Sequence, residues 1–181
     1  NVNVMTATAH PHPRTLTYSH VIPGLWYTVS ATNTAASAER WFRDVFCQQE
    51  VEQAAGAGRS VYEQLHEAAR QIPPGSEGLF FHPYLLGERS PYWDANLRGS
   101  FVGATMRHGK PHFVRALLEG VAYSLRDCHR TIVDMQLPVD EIRLIGGGAK
   151  SDLWTQIISD VFARPVVRPA GSDASFGAAL L

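Results

Sequence analysis

The chain has 181 residues, 45% of them apolar and 18% charged, with a formal charge of −1 from 16 basic and 17 acidic side chains. That is a globular composition, long enough for one domain with a sizeable core. No segment concentrates Lys or Arg, which argues against a nucleic-acid partner, and no apolar run reaches the ~18 residues of a membrane-spanning helix.

Residues 1–9 alternate as a strand already under way, and the start carries neither Met nor a signal-peptide pattern. His10-Pro11-His12-Pro13 breaks the strand, because two prolines remove donors and fix the backbone. Its two histidines have no Cys or acidic neighbour, so the stretch reads as a solvated loop and not as a metal site. Thr15–His20 and Leu25–Val29 are strands joined by a turn at Pro23-Gly24. A helix is expected from about Ala35 to Ala54, with Ala38, Trp41, Phe42, Val45 and Phe46 on its inner face. A second follows from Val61 to Ile72, with Leu65, Ala68, Ala69 and Ile72 inward, closed by Pro73-Pro74-Gly75.

Gly78–Leu86 is an apolar run of strand length, expected as a buried central strand that Pro83 brings to an end. The loop after it, Gly87–Asn96, is rich in charged and aromatic residues. A Glu88–Arg89 ion pair that ties the loop down is the reading preferred over a binding role, and Asp94 reads as a loop anchor. Gly99–Thr105 is a short strand. Pro111 suits a helix first turn, and Phe113, Leu117, Val121, Leu125, Cys128, Ile132 and Met135 mark about six turns ending before Pro138. Gly120 inside that helix costs ~1 kcal/mol against Ala unless something packs closely there. Cys47 and Cys128 each fall on an apolar helix face and read as buried free thiols of a reducing compartment, although a disulfide stays open at this point.

The chain then reaches Leu144-Ile145-Gly146-Gly147-Gly148-Ala149-Lys150-Ser151-Asp152. The strand Ile142–Ile145 ends in three glycines, and Leu153, Ile157, Ile158, Val161 and Phe162 follow at helical spacing. Strand, glycine turn, helix is the plain reading. A turn without Cβ atoms lets a flat or charged ligand approach the backbone, and a helix opening at Ser151 or Asp152 offers free N–H groups. A tight turn without any ligand is the competing reading of these residues. The stretch fails the P-loop pattern, which needs Gly where Leu144 stands. It also fails the dinucleotide fingerprint, which needs Gly where Ser151 stands. Pro165–Arg168 is a last short strand, and Gly171-Ser172-Asp173 caps a final helix that ends without a C-cap. Both ends therefore read as cut from a longer polypeptide. The strand–helix alternation makes this an α/β layered domain.

The chain resembles the C-terminal, nucleotide-binding half of the FGGY family of carbohydrate kinases. GLWYTVSATNTAASAERWFRDVF at 24–46, GLFFHPYLLGERSPYWDANLRGSFVG at 78–103, HFVRALLEGVAYSL at 112–125, LIGGGAKSDLWTQIISDVFARPV at 144–166 and DASFGAALL at 173–181 carry the likeness. Ala104 and Leu117 depart from the second signature by small apolar changes. The resemblance implies an actin-like ATPase, ribonuclease H-like fold: a mixed sheet flanked by helices. Residues 1–181 would then be the C-terminal ATP-binding domain, truncated at both ends, with the N-terminal sugar-binding domain absent. It implies ATP with Mg²⁺ as cofactors and a backbone at Gly147 and Gly148 that lies against adenine or ribose, with Ala149 and Ser151 lining the same pocket. The phosphate loop before residue 1 and the catalytic aspartate of the other half would be missing, so no catalytic and no metal-binding residue is assigned here; Asp94, Asp152 and Asp173 have structural explanations. The implied reaction is transfer of the ATP γ-phosphoryl group to a hydroxyl of a pentulose, xylulose-like, with gluconate or another sugar as the alternative. A non-catalytic ATP-binding relative is the reading from another class, and the chain alone is expected to be inactive. A cytoplasmic protein that acts on a small-molecule sugar is implied, and dimers are common in the family, which leaves room for a homodimer.

Overall fold

The computed structural model describes residues 1–170 and residue 179. The expected cap at Gly171-Ser172-Asp173 and, apart from residue 179, the expected final helix fall outside the described residues.

Three strands open the chain: β1 (Val2–Thr6), β2 (Leu16–Ser19) and β3 (Trp26–Ser30). All pairing is antiparallel and β3 is central, with Val4 opposite Thr28 and Thr17 opposite the same residue. The β2–β3 hairpin turns through Pro23-Gly24, where Gly24 has φ +82°. Leu25 N–H closes the turn on Ile22 O at 3.3 Å.

The expected single helix over 35–54 is two helices, α1 (Ser37–Phe46) and α2 (Gln48–Gly56). Between them Cys47 leaves the helical region at φ −123°, ψ 32°, with its side chain fully buried. No Gly or Pro marks that break, so periodicity runs straight through it. The inner face differs as well. Ala38 and Phe42 are buried as expected, but Glu39 joins them, while Val45 and Phe46 are about half exposed. The next helix, α3 (Val61–Arg70), buries Leu65 and Ala69 but leaves Ala68 outside.

Residues 78–86 do not make a buried central strand. Only β4 (Phe80–His82) forms there, paired antiparallel with β5 (Ser100–Val102) and, among the described residues, with no other strand. Its alternation buries Phe81 and exposes Phe80 and His82, since the helix at Lys110–Asp134 covers just one face. Pro83 has no N–H with which to extend the ladder. The long helix α4 (Lys110–Asp134) is the spine of the molecule, packed against β4, α1, α3 and α5 (Asp152–Phe162). It opens with Pro111 in the first turn and His112 Nδ1 accepting from Gly109 N–H at 3.2 Å. One hydrophobic core joins α1, α3, β4, α4 and α5 through Phe42, Leu65, Phe81, Leu117, Leu118, Val121 and Trp154.

After α4 come β6 (Ile142–Arg143), α5 (Asp152–Phe162) and β7 (Val166–Val167), with β6 and β7 parallel, as a crossover helix demands. Antiparallel and parallel pairing thus occur in one chain, with helices against the strands.

Candidate functional site

The expected strand–turn–helix stands. Between β6 and α5 the backbone passes through Gly146 at φ +89°, ψ −172°, a conformation that an L side chain rarely adopts. Gly147–Lys150 then make one 3₁₀ turn, with Ala149 N–H bonded to Gly146 O at 3.1 Å.

Each candidate residue has a distinct place. Gly147 is exposed, and a Cβ there would meet no atom within 4 Å, so the backbone faces open space. Gly148 is different: its Cβ would stand 2.7 Å from Cζ3 of the Trp154 indole, which buttresses the turn from below. Trp154 is itself buried, and its Nε1 has no hydrogen-bond partner among the described residues. The Ala149 methyl turns inward, and what Ala149 offers is backbone. Its carbonyl accepts from Arg168 Nη1 at 3.2 Å, and the same nitrogen reaches Asp152 Oδ1 at 2.7 Å. Arg168 therefore ties β7's exit to the turn and uses the Asp152 carboxylate, which explains that residue without chemistry.

Ser151 is the N-cap of α5. Its Oγ accepts from Trp154 N–H at 3.2 Å, satisfying one donor of the first helical turn. Ser151 Oγ is also 2.7 Å from His66 Nδ1, and His66 Nε2 is 2.5 Å from Glu39 Oε1. Sequence reasoning missed His66 and Glu39, which lie 85 and 112 positions before Ser151. The available signal was an acid at position 39, three residues before Phe42 on the face that α1 buries.

Elsewhere, the charged loop holds the chain together. Glu88 is 3% exposed and its carboxylate accepts from Thr32 Oγ1 at 2.6 Å, Asn33 N–H at 2.7 Å and Arg89 N–H at 2.8 Å. No Glu88–Arg89 ion pair forms; the Arg89 guanidinium donates instead to Asn33 Oδ1 at 2.8 Å. Asp94 is a local anchor, accepting from Asn96 N–H at 2.7 Å. Cys47 and Cys128 are both free and buried, and burial pushes both thiols above their ordinary pKa. His10 and His12 each bond locally, His12 Nδ1 accepting from Arg14 N–H at 3.2 Å. Among the described residues no group of three or more His, Cys, Asp or Glu could hold a metal ion, and no helix is long and apolar enough to cross a membrane.

An exposed Cβ-free turn, walled by an indole and opening a capped helix, can receive a flat ring against its backbone. Comparisons with known proteins give the family and the fold. Gluconokinase of Bacillus subtilis is 42% identical over 158 residues, which are 86% of this chain and 31% of that protein. Xylulose kinase of Lactococcus lactis is 37% identical over 153 residues, 83% of this chain and 28% of that one. Among solved structures, xylulose kinase from Rhodospirillum rubrum superposes with a TM-score of 0.78 at 32% identity, covering 92% of this chain and 32% of its own. That likeness gives the chain the actin-like ATPase architecture of these sugar kinases. The chain spans just under a third of the length of the curated relatives it matches. Matched over residues 2–181 by the C-terminal domain of that family, this chain belongs to the FGGY family of carbohydrate kinases.

Proposed function

We propose that residues 1–181 are the ATP-binding half of a sugar kinase, and that the turn at residues 146–151 receives the nucleoside. The observation that carries this is the open backbone at Gly147, Cβ-free and facing solvent, beside a Gly148 backed by Trp154. Gly147 and Gly148 present backbone to the adenine or ribose, with Ala149 at the edge of the pocket and the Ser151 hydroxyl at its far side. When bound, ATP supplies the phosphoryl group and Mg²⁺ neutralises its charge. Among the described residues no acid cluster converges for the metal, and Asp94 and Asp152 are held in local bonds. We therefore assign both to the other half, with an aspartate there taking the proton of the sugar hydroxyl. What this half contributes is position: it fixes the nucleoside so that the γ-phosphoryl group points across the cleft, and closure over the sugar excludes water.

A pentulose such as xylulose and gluconate are the acceptors this reading favours, since relatives carrying both names match the chain. A cytoplasmic location and a homodimer belong to the same proposal.

The test uses a polypeptide that carries this chain together with its N-terminal half. Gly147→Trp should raise the KM for ATP by about tenfold or more while leaving the KM for the sugar unchanged. The fold tolerates that change, because Gly147 has an ordinary backbone conformation and open space beside it. An unchanged KM for ATP refutes the site. Xylulose and gluconate offered side by side decide the acceptor.

A further inference from the structure

We propose that His66, backed by Glu39, is a positioning residue for the nucleotide: it holds the Ser151 hydroxyl in one orientation at the glycine turn. The inference rests on the reading of residues 146–151 as the nucleoside site.

Three elements far apart in sequence converge here. Glu39 comes from α1, His66 from α3, and Ser151 from the start of α5. The links are 2.5 Å from Glu39 Oε1 to His66 Nε2 and 2.7 Å from His66 Nδ1 to Ser151 Oγ. The His66 and Glu39 side chains are only 12% and 9% exposed, so water competes little for either bond. A carboxylate on the inner face of α1, beside Ala38 and Phe42, needs a partner to be tolerated there, and His66 supplies it.

For a neutral imidazole beside an ionised carboxylate, the partners set the proton positions. An ionised carboxylate can only accept, so Nε2 carries its hydrogen toward Glu39. In the neutral ring Nδ1 is then a bare acceptor, and the Ser151 hydroxyl donates to it. Ser151 Oγ already accepts from Trp154 N–H. Its proton and one of its two lone pairs are thus committed, and one lone pair is left to meet a donor on the ligand, such as a ribose hydroxyl or the adenine amine. Without His66 the hydroxyl would rotate, and the nucleotide would have to order it on binding.

A plain bridge between α1, α3 and α5 would explain the same contacts, so the test must separate support from positioning. It uses the polypeptide with both halves and steady-state kinetics with ATP and sugar varied in turn. His66→Asn places an amide where Nδ1 stands and can keep the Ser151 bond; His66→Gln reaches the Nε2 position and loses it. His66→Gln should raise the KM for ATP about tenfold with kcat and the sugar KM within about twofold, whereas His66→Asn should stay within about threefold of wild type. In a Ser151→Ala background, His66→Gln should change the KM for ATP by less than about twofold, since the effect runs through that hydroxyl. Equal effects of the Asn and Gln variants, an unchanged KM, or an undiminished effect in the Ser151→Ala background would each overturn the proposal.

Should His66→Gln not fold, Glu39→Leu serves instead. It keeps apolar volume on the buried face and releases the imidazole, so the KM for ATP should rise without loss of kcat; no rise refutes the relay. Gly147→Trp separates this inference from the reading beneath it. If that variant leaves the KM for ATP unchanged, the site and the relay fail together. If it raises the KM and His66→Gln does not, the relay alone fails.

Discussion

The carbonyl oxygen of Phe81 sits where a side chain on Gly120 would stand: a Cβ built there lies 2.2 Å from it and 3.0 Å from the carbonyl carbon. Strand β4 and helix α4 can lie this close only because position 120 has no side chain. Gly120→Ala gains ~1 kcal/mol of helix propensity but forces the strand backbone away, at a cost that overpacking puts at about 1–3 kcal/mol or more against rigid backbone. We expect a net loss of about 2 kcal/mol in urea unfolding. A variant as stable as wild type would show that the β4–α4 approach is not obligatory.

Gly148 repeats the situation against a side chain. Gly148→Ala drives a methyl into the Trp154 ring at 2.7 Å. The indole is buried and can move little, so about 1–2 kcal/mol of stability should be lost, with a shift in its fluorescence. Gly147→Ala, next door but open, should leave both unchanged.

Glu88 and Asp94 lie in one loop but should behave oppositely. Glu88→Ala strands three donors in a dry site, costing about 3 kcal/mol. Asp94→Ala removes one exposed local bond and should stay within about 0.5 kcal/mol of wild type. Comparable losses from the two would contradict the assignment of Glu88 as the staple between Thr32-Asn33 and the loop.

His129 gives the molecule a pH dependence of known sign. Burial, with Arg126 and then Arg164 adding repulsion, holds its pKa below the ordinary 6.5. Arg126 Nη1 donates to Nδ1 at 2.7 Å, which fits a neutral ring. The unfolded chain takes up this proton first as the pH falls, so the contribution is complete above 6.5 and is lost below it. His129→Phe should flatten that part of the slope in unfolding free energy between about pH 7 and 5.5. An unaltered slope would mean that the ring is not the titrating group.

The thiols supply a simpler check. Cys47 and Cys128 are fully buried and hard to ionise. Both should react slowly with a thiol reagent in the native protein and fast in urea, giving two equivalents. Rapid native labelling of either would place it at the surface.

Local chemistry was legible in the residues. Pro23-Gly24 marks a hairpin turn because a proline and a positive-φ glycine leave few alternatives, and Ser151 caps α5 because a hydroxyl there meets an orphan N–H. Gly146-Gly147-Gly148 announced an unusual backbone for the same reason. The motifs at 78–103, 112–125 and 144–166 carried the family. Periodicity failed where the decision belonged to distant parts of the chain. Nothing at Cys47 signals a break, and the axis turns there with the thiol in the core. The run at 78–86 is apolar but for His82, yet β4 has one covered face, since among the described residues β5 alone pairs with it.

The sequence by itself determined the turn, the Ser151 cap, the long helix and the family, all properties of residues near one another along the chain. Tertiary structure decided which carboxylate became a staple, which glycine was obligatory and which histidine reached Ser151. Those outcomes depend on hydrogen bonds and contacts a few ångströms long between residues tens of positions apart, and a lone acid, glycine or histidine in sequence does not name its partner.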